Sequence, residues 1–281
     1  MKAIICSTIK NEEKNLSSFF KFLDKIIYTF EDYYIILVES DSTDDTFEKA
    51  KKLLLNYKGT VIRIKTDHLE PRTERISLCR NAYLKLINKD INLSNYDFMI
   101  VADADRVNKN INKVSILNSI DNAPKDWVGI FANQKFIYYD VWPLRIKNYI
   151  ENDCFQNFIK LSKTNTTRNA YFFAIFKNFF LIKKFQDRFV KVNSAFGGFG
   201  IYKLKDISDI EYNSNSGTYS EHVLFNLSIL KKNSNKSLYI DQKLINFSGI
   251  SEHFFRGIIY CLSKYYSKNL LEKFKIINKK N

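Results

Sequence analysis

Three features of this sequence predict an α/β fold with a mostly parallel central sheet flanked by helices. Short apolar runs of strand length alternate with segments of helical length through the first half of the chain. The first, second and fourth runs have apolar centres, as strands buried inside a sheet require. There is no internal repeat or low-complexity linker, and 45% hydrophobic content over 281 residues supports one sizeable core.

The elements follow in order. Residues 2–7 form a buried strand and 12–28 a helix. A second strand spans 34–38 and a second helix 42–56, for which Ser42-x-x-Asp45 has the pattern of a capping box. Residues 61–64 and 72–88 repeat the pair, and 97–102 is a fourth, strongly apolar strand. The second half is less regular. Residues 127–131 read as a strand, 150–185 as a mixed aromatic-rich segment, and Gly197-Gly198-Phe199-Gly200 is the dense glycine cluster. Ligands of such sheets bind beyond the carboxyl ends of the strands, so the residues just after each strand are the ones to inspect.

Composition narrows the function. The formal charge of +14, from 44 basic and 30 acidic side chains, favours an anionic partner: a nucleotide diphosphate, anionic lipid or nucleic acid. Cys6, Cys79, Cys154 and Cys261 form no Cys-x-x-Cys pair, which argues against a zinc ribbon or disulfide framework and fits a reducing compartment. The apolar start is too short for a signal-peptide core. The stretch 170–185 is interrupted by Lys177, Lys183 and Lys184, so it does not read as a membrane span. The expected location is the cytoplasm, with the inner face of the cell membrane as a candidate peripheral seat.

Two strand ends carry chemistry. Asp103-Ala104-Asp105 follows the fourth strand, and two carboxylates at that position can hold a hard divalent cation against a nucleotide diphosphate. A solvated acidic turn is the bland alternative; the placement behind a buried strand weighs against it. The second strand ends in a Glu39-Ser40-Asp41-Ser42 turn, where Glu39 can accept hydrogen bonds from a base or ribose. An ordinary strand-to-helix turn explains the Ser, Thr and Asp content but leaves Glu39 unexplained.

Taken together, Ile9-Lys10-Asn11-Glu12-Glu13-Lys14-Asn15-Leu16, the turn over 38–46 and Asp103-Ala104-Asp105 resemble the nucleotide-binding half of a GT-A glycosyltransferase, closest to the family-two type. Cys79-Arg80-Asn81-Ala82 resembles the Ala-Arg-Asn helix of that superfamily. The resemblance implies a GT-A fold with a C-terminal helical tail. It also implies a bound Mn²⁺ or Mg²⁺, a nucleotide-diphosphate sugar as donor, and a glycan or glycolipid acceptor in surface-glycan synthesis (lipooligosaccharide or capsule). Asp103 and Asp105 would hold the metal; Thr8, Asn11, Glu39, Arg80 and Asp103 would bind the nucleotide. Arg72 and Arg75 do not all share a helix face with Arg80, so at least one of the three is a surface charge.

The same resemblance places Gly197 and Gly198 at the sugar site. It makes Glu221, in Ser220-Glu221-His222, the base that takes the acceptor hydroxyl proton. Ser220 and Glu221 also fit an N-cap and a helix dipole. His222 stands where the commoner motif has a second carboxylate, which leaves the stereochemical course open. His253 is the implied third metal ligand, with His222 as its rival. The segment 136–145 is similar to part of the capsule-type mannosyltransferases of the Cap59 kind. Within it Asp140, Trp142 and Arg145 would meet sugar hydroxyls, faces or phosphate; aromatic packing beside Pro143 is the alternative.

The expected organisation is a catalytic domain over 1–253, with a nucleotide-binding half (1–105) and an acceptor half (106–253), followed by a basic amphipathic helix over 254–281. In that tail Phe255, Ile258, Ile259, Leu262 and Tyr266 share a helical face, with Lys264, Lys268 and Lys275 roughly opposite. An anionic membrane surface is its candidate partner.

Two other functions compete. A sugar nucleotidylyltransferase carries a glycine-rich loop after its first strand, whereas Ser7-Thr8-Ile9-Lys10-Asn11 has no glycine. A non-enzymatic nucleic-acid-binding protein would concentrate its basic and aromatic residues on one module. Here acidic motifs occupy the predicted ligand edge, so no nucleic-acid partner is expected.

Overall fold

The computed structural model of the chain describes residues 1–247; His253 and the tail expected over 254–281 lie outside the described residues. Eight strands form one sheet: β1 (Lys2–Ile9), β2 (Asp32–Ser40), β3 (Gly59–Ile64), β4 (Phe98–Ala102), β5 (Trp127–Gln134), β6 (Phe189–Val192), β7 (Phe199–Lys203) and β8 (Ser237–Phe247). Their order is β3-β2-β1-β4-β7-β5-β8-β6. The first four run parallel, as the alternating pattern requires. β7 is antiparallel to both β4 and β5, β5 pairs parallel with β8, and β6 closes the edge antiparallel to β8.

Nine α-helices are described: α1 (Glu13–Ile26), α2 (Thr46–Leu54), α3 (Arg72–Lys89), α4 (Ile91–Ser94), α5 (Lys113–Asp121), α6 (Cys154–Leu161), α7 (Thr167–Ala174), α8 (Leu204–Ile207) and α9 (Glu221–Lys232). The two-residue period of each strand divides the core. From β1, Ile4 and Cys6 pack with Cys79, Tyr83 and Ile87 of α3 and Phe225 and Ile229 of α9. Ala3, Ile5 and Ile9 pack with Leu16, Phe19 and Leu23 of α1, Ala50 of α2 and Ile116 of α5. Each fully buried Ile, Leu or Phe among these contributes about 1.5–3 kcal/mol, so both faces of a central strand must be apolar. This accounts for the apolar centres of β1, β2 and β4; β3, at the sheet edge, exposes Arg63. A third, smaller cluster joins Ile137 and Val141 to α6 and α7.

The second helix starts later than the sequence pattern implies, and Ser42 does not cap it. Thr46 begins the helix, its N–H donating to Asp44 Oδ1 at 3.1 Å, and the N-cap Asp45 makes no side-chain capping bond. Ser42 Oγ instead accepts from the Asn11 N–H at 3.0 Å, tying the β1 loop to the β2 loop. The three strands β6, β7 and β8 were not foreseen. β6 has only four residues, and β8 has Asp241, Gln242 and Lys243 in mid-strand opposite a shift in register with β5.

The insertion of antiparallel β7 decides where chemistry is concentrated. It starts at the sheet edge where β4 stops, Ala102 standing opposite Phe199. The glycine pair before β7 therefore meets the acidic motif after β4. Gly197 and Gly198 have φ of +68° and +85°, a region that glycine enters freely. Substituting Gly198→Ala would put a Cβ 2.7 Å from Val107 Cγ1 on a left-handed backbone. We expect it to lower the unfolding free energy by about 2 kcal/mol. The urea midpoint should fall while the denaturant slope stays constant.

Candidate active site

The acidic motif is held by backbone and amides. The Asp103 N–H donates to the Gly198 carbonyl at 2.9 Å. Asn108 Nδ2 donates to the Asp103 and Gly198 carbonyls, both at 2.9 Å. Asn246 Nδ2 reaches the Gly197 carbonyl at 2.7 Å and Asn108 Oδ1 at 3.1 Å; Gln134 Nε2 reaches the Gly197 carbonyl and Asn246 Oδ1. On the open side, the Gly197 N–H donates to Asp140 Oδ2 at 2.8 Å. Buried amides of this kind are costly unless paired; here their N–H groups are paired with each other and with the loop they shape, while Gln134 Oε1 is buried without a hydrogen bond. Sequence reading missed Asn108, Gln134 and Asn246. The available signal was the polar pair Asn133-Gln134 closing an apolar strand and Asn246 near the end of β8.

Tyr139 closes the same space. Its hydroxyl would lie 3.0 Å from a Cβ on Gly198. Burial, with the negative charges of Asp140, Asp103 and Asp105 beside it, pushes its pKa well above the ordinary tyrosine range. Three carboxylates from two segments, the motif after β4 and Asp140, thus stand near one phenol, which stays neutral.

Arg80 joins this edge to Glu221. The guanidinium is 4% exposed, its Nε lies 3.1 Å from Glu221 Oε1 and its Nη2 3.9 Å from Asp103 Oδ1. It also faces the rings of Phe196 at 5.2 Å and Tyr212 at 5.5 Å. Burial opposes the charge, but Tyr83, Glu221, Tyr212 and Asp103 more than offset it and hold the pKa above the usual arginine value. The neighbouring Asn81 fastens the loop that leads to Glu221: its Oδ1 accepts from the Tyr212 N–H at 2.7 Å and its Nδ2 donates to the Tyr212 carbonyl at 3.0 Å. Ser214 Oγ donates to Glu74 Oε1 at 2.6 Å in the same loop. The resemblance to an Ala-Arg-Asn helix therefore has a physical content: one residue sets a charge and the next a loop. Arg75 pairs with Glu70 at 2.7 Å, and Arg72 is exposed.

The residues expected on the nucleotide side lie at the adjoining strand ends. Thr8 is half-buried near the end of β1, opposite Val38. Glu39 is fully buried, with Oε1 accepting from the Ser42 N–H at 2.8 Å and Oε2 from Arg63 Nε at 2.7 Å. Asn11 has φ +54°, a conformation Asn tolerates, and its Oδ1 accepts from the Thr43 N–H at 2.8 Å. Glu39 and Asn11 thus fasten the loops that follow β1 and β2.

Trp142 and Arg145 are committed elsewhere. Trp142 Nε1 donates to Asp153 Oδ2 at 2.9 Å and Arg145 Nη2 to the same oxygen at 3.0 Å. Arg145 Nη1 reaches the Trp142 and Leu144 carbonyls, and the indole meets the Phe155 ring edge-on. Asp153 itself caps α6. Arg145 is 4% exposed, so these contacts correct the expectation that it binds hydroxyls or phosphate. The aromatic-packing alternative accounts for both residues, and of the three expected sugar contacts only Asp140 stands beside the glycine loop.

His222 is buried between Phe196, stacked at 3.8 Å, and the edge of Tyr212. Neither ring nitrogen makes a hydrogen bond, and Nε2 stands 3.6 Å from Glu221 Oε1. Burial, helped by the Arg80 charge, lowers its pKa well below 6.5 and keeps it neutral. Among the described residues no three His, Cys, Asp or Glu side chains form a metal-holding group. Asp103 and Asp105 are both partly exposed at the strand end. Two carboxylates fit a hard cation that takes its other ligands from a diphosphate and water.

The architecture and this edge define a GT-A glycosyltransferase fold. No family model and no curated protein sequence matches the chain. Among solved structures it is similar to the mannosyltransferase PcManGT from Pyrobaculum calidifontis, in complex with GDP-Man and Mn²⁺. The identity is 10% and the TM-score 0.52, over 89% of this chain and 57% of that one. It is also similar to the S. aureus TarS 1-349 fragment in complex with UDP-GlcNAc, with 16% identity and TM-score 0.51 over 90% of this chain and 60% of that one. The chain thus spans less than two thirds of either relative.

Two outcomes follow from the site's electrostatics. Arg80→Met leaves Glu221 buried without its cation and should cost about 3–5 kcal/mol of stability. In a Glu221→Gln background the same change should cost at least about 1 kcal/mol less, a coupling that urea denaturation of the four proteins measures. The unfolded chain takes up a proton at His222 near 6.5, whereas the folded chain does not. Stability present above that pH is therefore lost as pH falls, by up to about 1.4 kcal/mol per unit. Between pH 7.5 and pH 5.5 the melting temperature should drop less in His222→Leu than in the wild type.

Proposed function

We propose that this protein is a glycosyltransferase that moves a sugar from a nucleotide-diphosphate sugar to a hydroxyl acceptor. The observation that carries the reading is the convergence of Asp103, Asp105, Arg80 and Glu221 at the carboxyl edge of a GT-A sheet. In this reading Thr8, Asn11 and Glu39 bound the nucleoside, while Asp140 and the Gly197-Gly198 backbone border the place where donor sugar and acceptor meet.

Asp103 and Asp105 would hold Mn²⁺ or Mg²⁺, with His253 as the further ligand implied by resemblance. When bound, that cation would neutralise the diphosphate as it leaves. Glu221 accepts the acceptor's hydroxyl proton as the oxygen bonds to the anomeric carbon and the bond from that carbon to the diphosphate oxygen breaks. Arg80 keeps a positive charge between Asp103 and Glu221, so two carboxylates can face one small site without repelling it open. PcManGT and TarS were crystallised with GDP-Man and UDP-GlcNAc, which makes both nucleotide classes candidates here. A glycan or glycolipid acceptor and a role in surface-glycan synthesis belong to the same proposal.

Thermal-shift measurements with UDP, GDP, CMP, CDP and dTDP, each with and without Mn²⁺, test it. One diphosphate should stabilise the protein, by about 2.7 kcal/mol at a hundredfold excess over its Kd. The shift should require the metal and vanish in Asp105→Ala. A folded protein that responds to none of them would refute the donor site.

A further inference from the structure

α7 is packed with its small residues inward. Ala170 and Ala174, four residues apart on one helical face, are completely buried, while Phe172 and Phe173 between them are 46% and 49% exposed. A helix that packs only against its own core does the reverse. The exposed rings are not isolated. Phe172 meets Phe173 edge-on and stacks with Phe176, and Phe176 meets Phe180, itself 40% exposed. Phe136, 50% exposed, joins the same surface through Lys183, whose Nζ lies 5.9 Å from its ring.

The charge on this surface has one sign. No Asp or Glu occurs between 154 and 186, a stretch that carries Lys160, Lys163, Arg168, Lys177, Lys183 and Lys184. Lysines stand at the rings themselves: Lys177 is 5.8 Å from Phe173, and Lys135 is 5.6 Å from Phe136. A folded protein partner is a poor match, because interface cores are depleted in lysine. A second copy is worse, since a two-fold contact would set these cations against each other. Rings at headgroup depth ringed by lysines suit an anionic lipid surface.

We propose that α6, α7 and residues 176–184 form a seat for an anionic lipid bilayer, distinct from the tail over 254–281. The seat adjoins the candidate acceptor side: the Tyr138 N–H donates to the Phe179 carbonyl at 2.8 Å, two residues from Asp140. A membrane-held acceptor would therefore meet the protein beside the glycine loop. The binding inference itself does not rest on the transferase reading and is measured without nucleotide.

Flotation of the full chain with phosphatidylcholine vesicles, with or without phosphatidylglycerol, tests it. The wild type should float with the mixed vesicles at low salt and not with phosphatidylcholine alone. Phe172→Ser/Phe173→Ser and, separately, Lys177→Glu/Lys183→Glu should each cut partitioning at least about tenfold with unchanged circular dichroism. Lys264→Gln/Lys268→Gln/Lys275→Gln should retain it. The proposal is overturned if the wild type ignores anionic vesicles, or if only the tail variant loses binding. It is also overturned if the patch variants float normally and instead dissociate a dimer in sedimentation velocity.

Discussion

The buried guanidinium of Arg80 is the interaction on which the candidate site depends. A cation at 4% exposure loses most of its hydration, and the loss is tolerable only with anions and ring faces around it. Glu221, Asp103, Phe196 and Tyr212 supply these from four separate parts of the chain. Each partner is in turn fixed by the need to stay near the charge. Glu221 starts α9, Asp103 ends β4, and Tyr212 sits in the loop that Asn81 grips. One charge thus sets the distance between the proposed metal-holding carboxylate and the proposed base.

Strand polarity supplies the second constraint. Four parallel strands bring the ends of β1, β2 and β4 to one edge, and β7, running the other way, starts there. Two consecutive left-handed glycines turn the chain into β7, and their carbonyls are occupied by Asn108, Gln134 and Asn246. The result is a stiff back wall of backbone and amides behind a front of carboxylates. Such a wall leaves little freedom to reorganise when charge develops in front of it.

Against this rigid edge, the surface of α6 and α7 is built on opposite terms. In α7 the inward residues are small and the outward ones aromatic, over a separate small cluster that includes Ile137, Phe158 and Phe179. Trp142, Arg145 and Asp153 lock that cluster to the segment that follows Asp140. The aromatic and basic residues here serve packing and an outer face, and of the three expected sugar contacts Asp140 alone bonds to the glycine loop.

The sequence alone determined the parallel half of the sheet, because β1, β2 and β4, buried on both faces, need apolar centres and the helices between them must be amphipathic. It also determined that carboxylates stand at strand ends, where Asp103, Asp105 and Glu39 are found. Only the tertiary structure decided what those groups touch. Arg80 and Glu221 are 141 positions apart, and no local period records such a pair. Nor did Trp142 or Arg145 carry any local sign that Asp153 would claim them, since a sugar face and a buried carboxylate select the same side chains. The antiparallel β7 was hidden for a related reason: a five-residue strand gains its stability from neighbours on both sides, and those neighbours, β4 and β5, are distant in the chain.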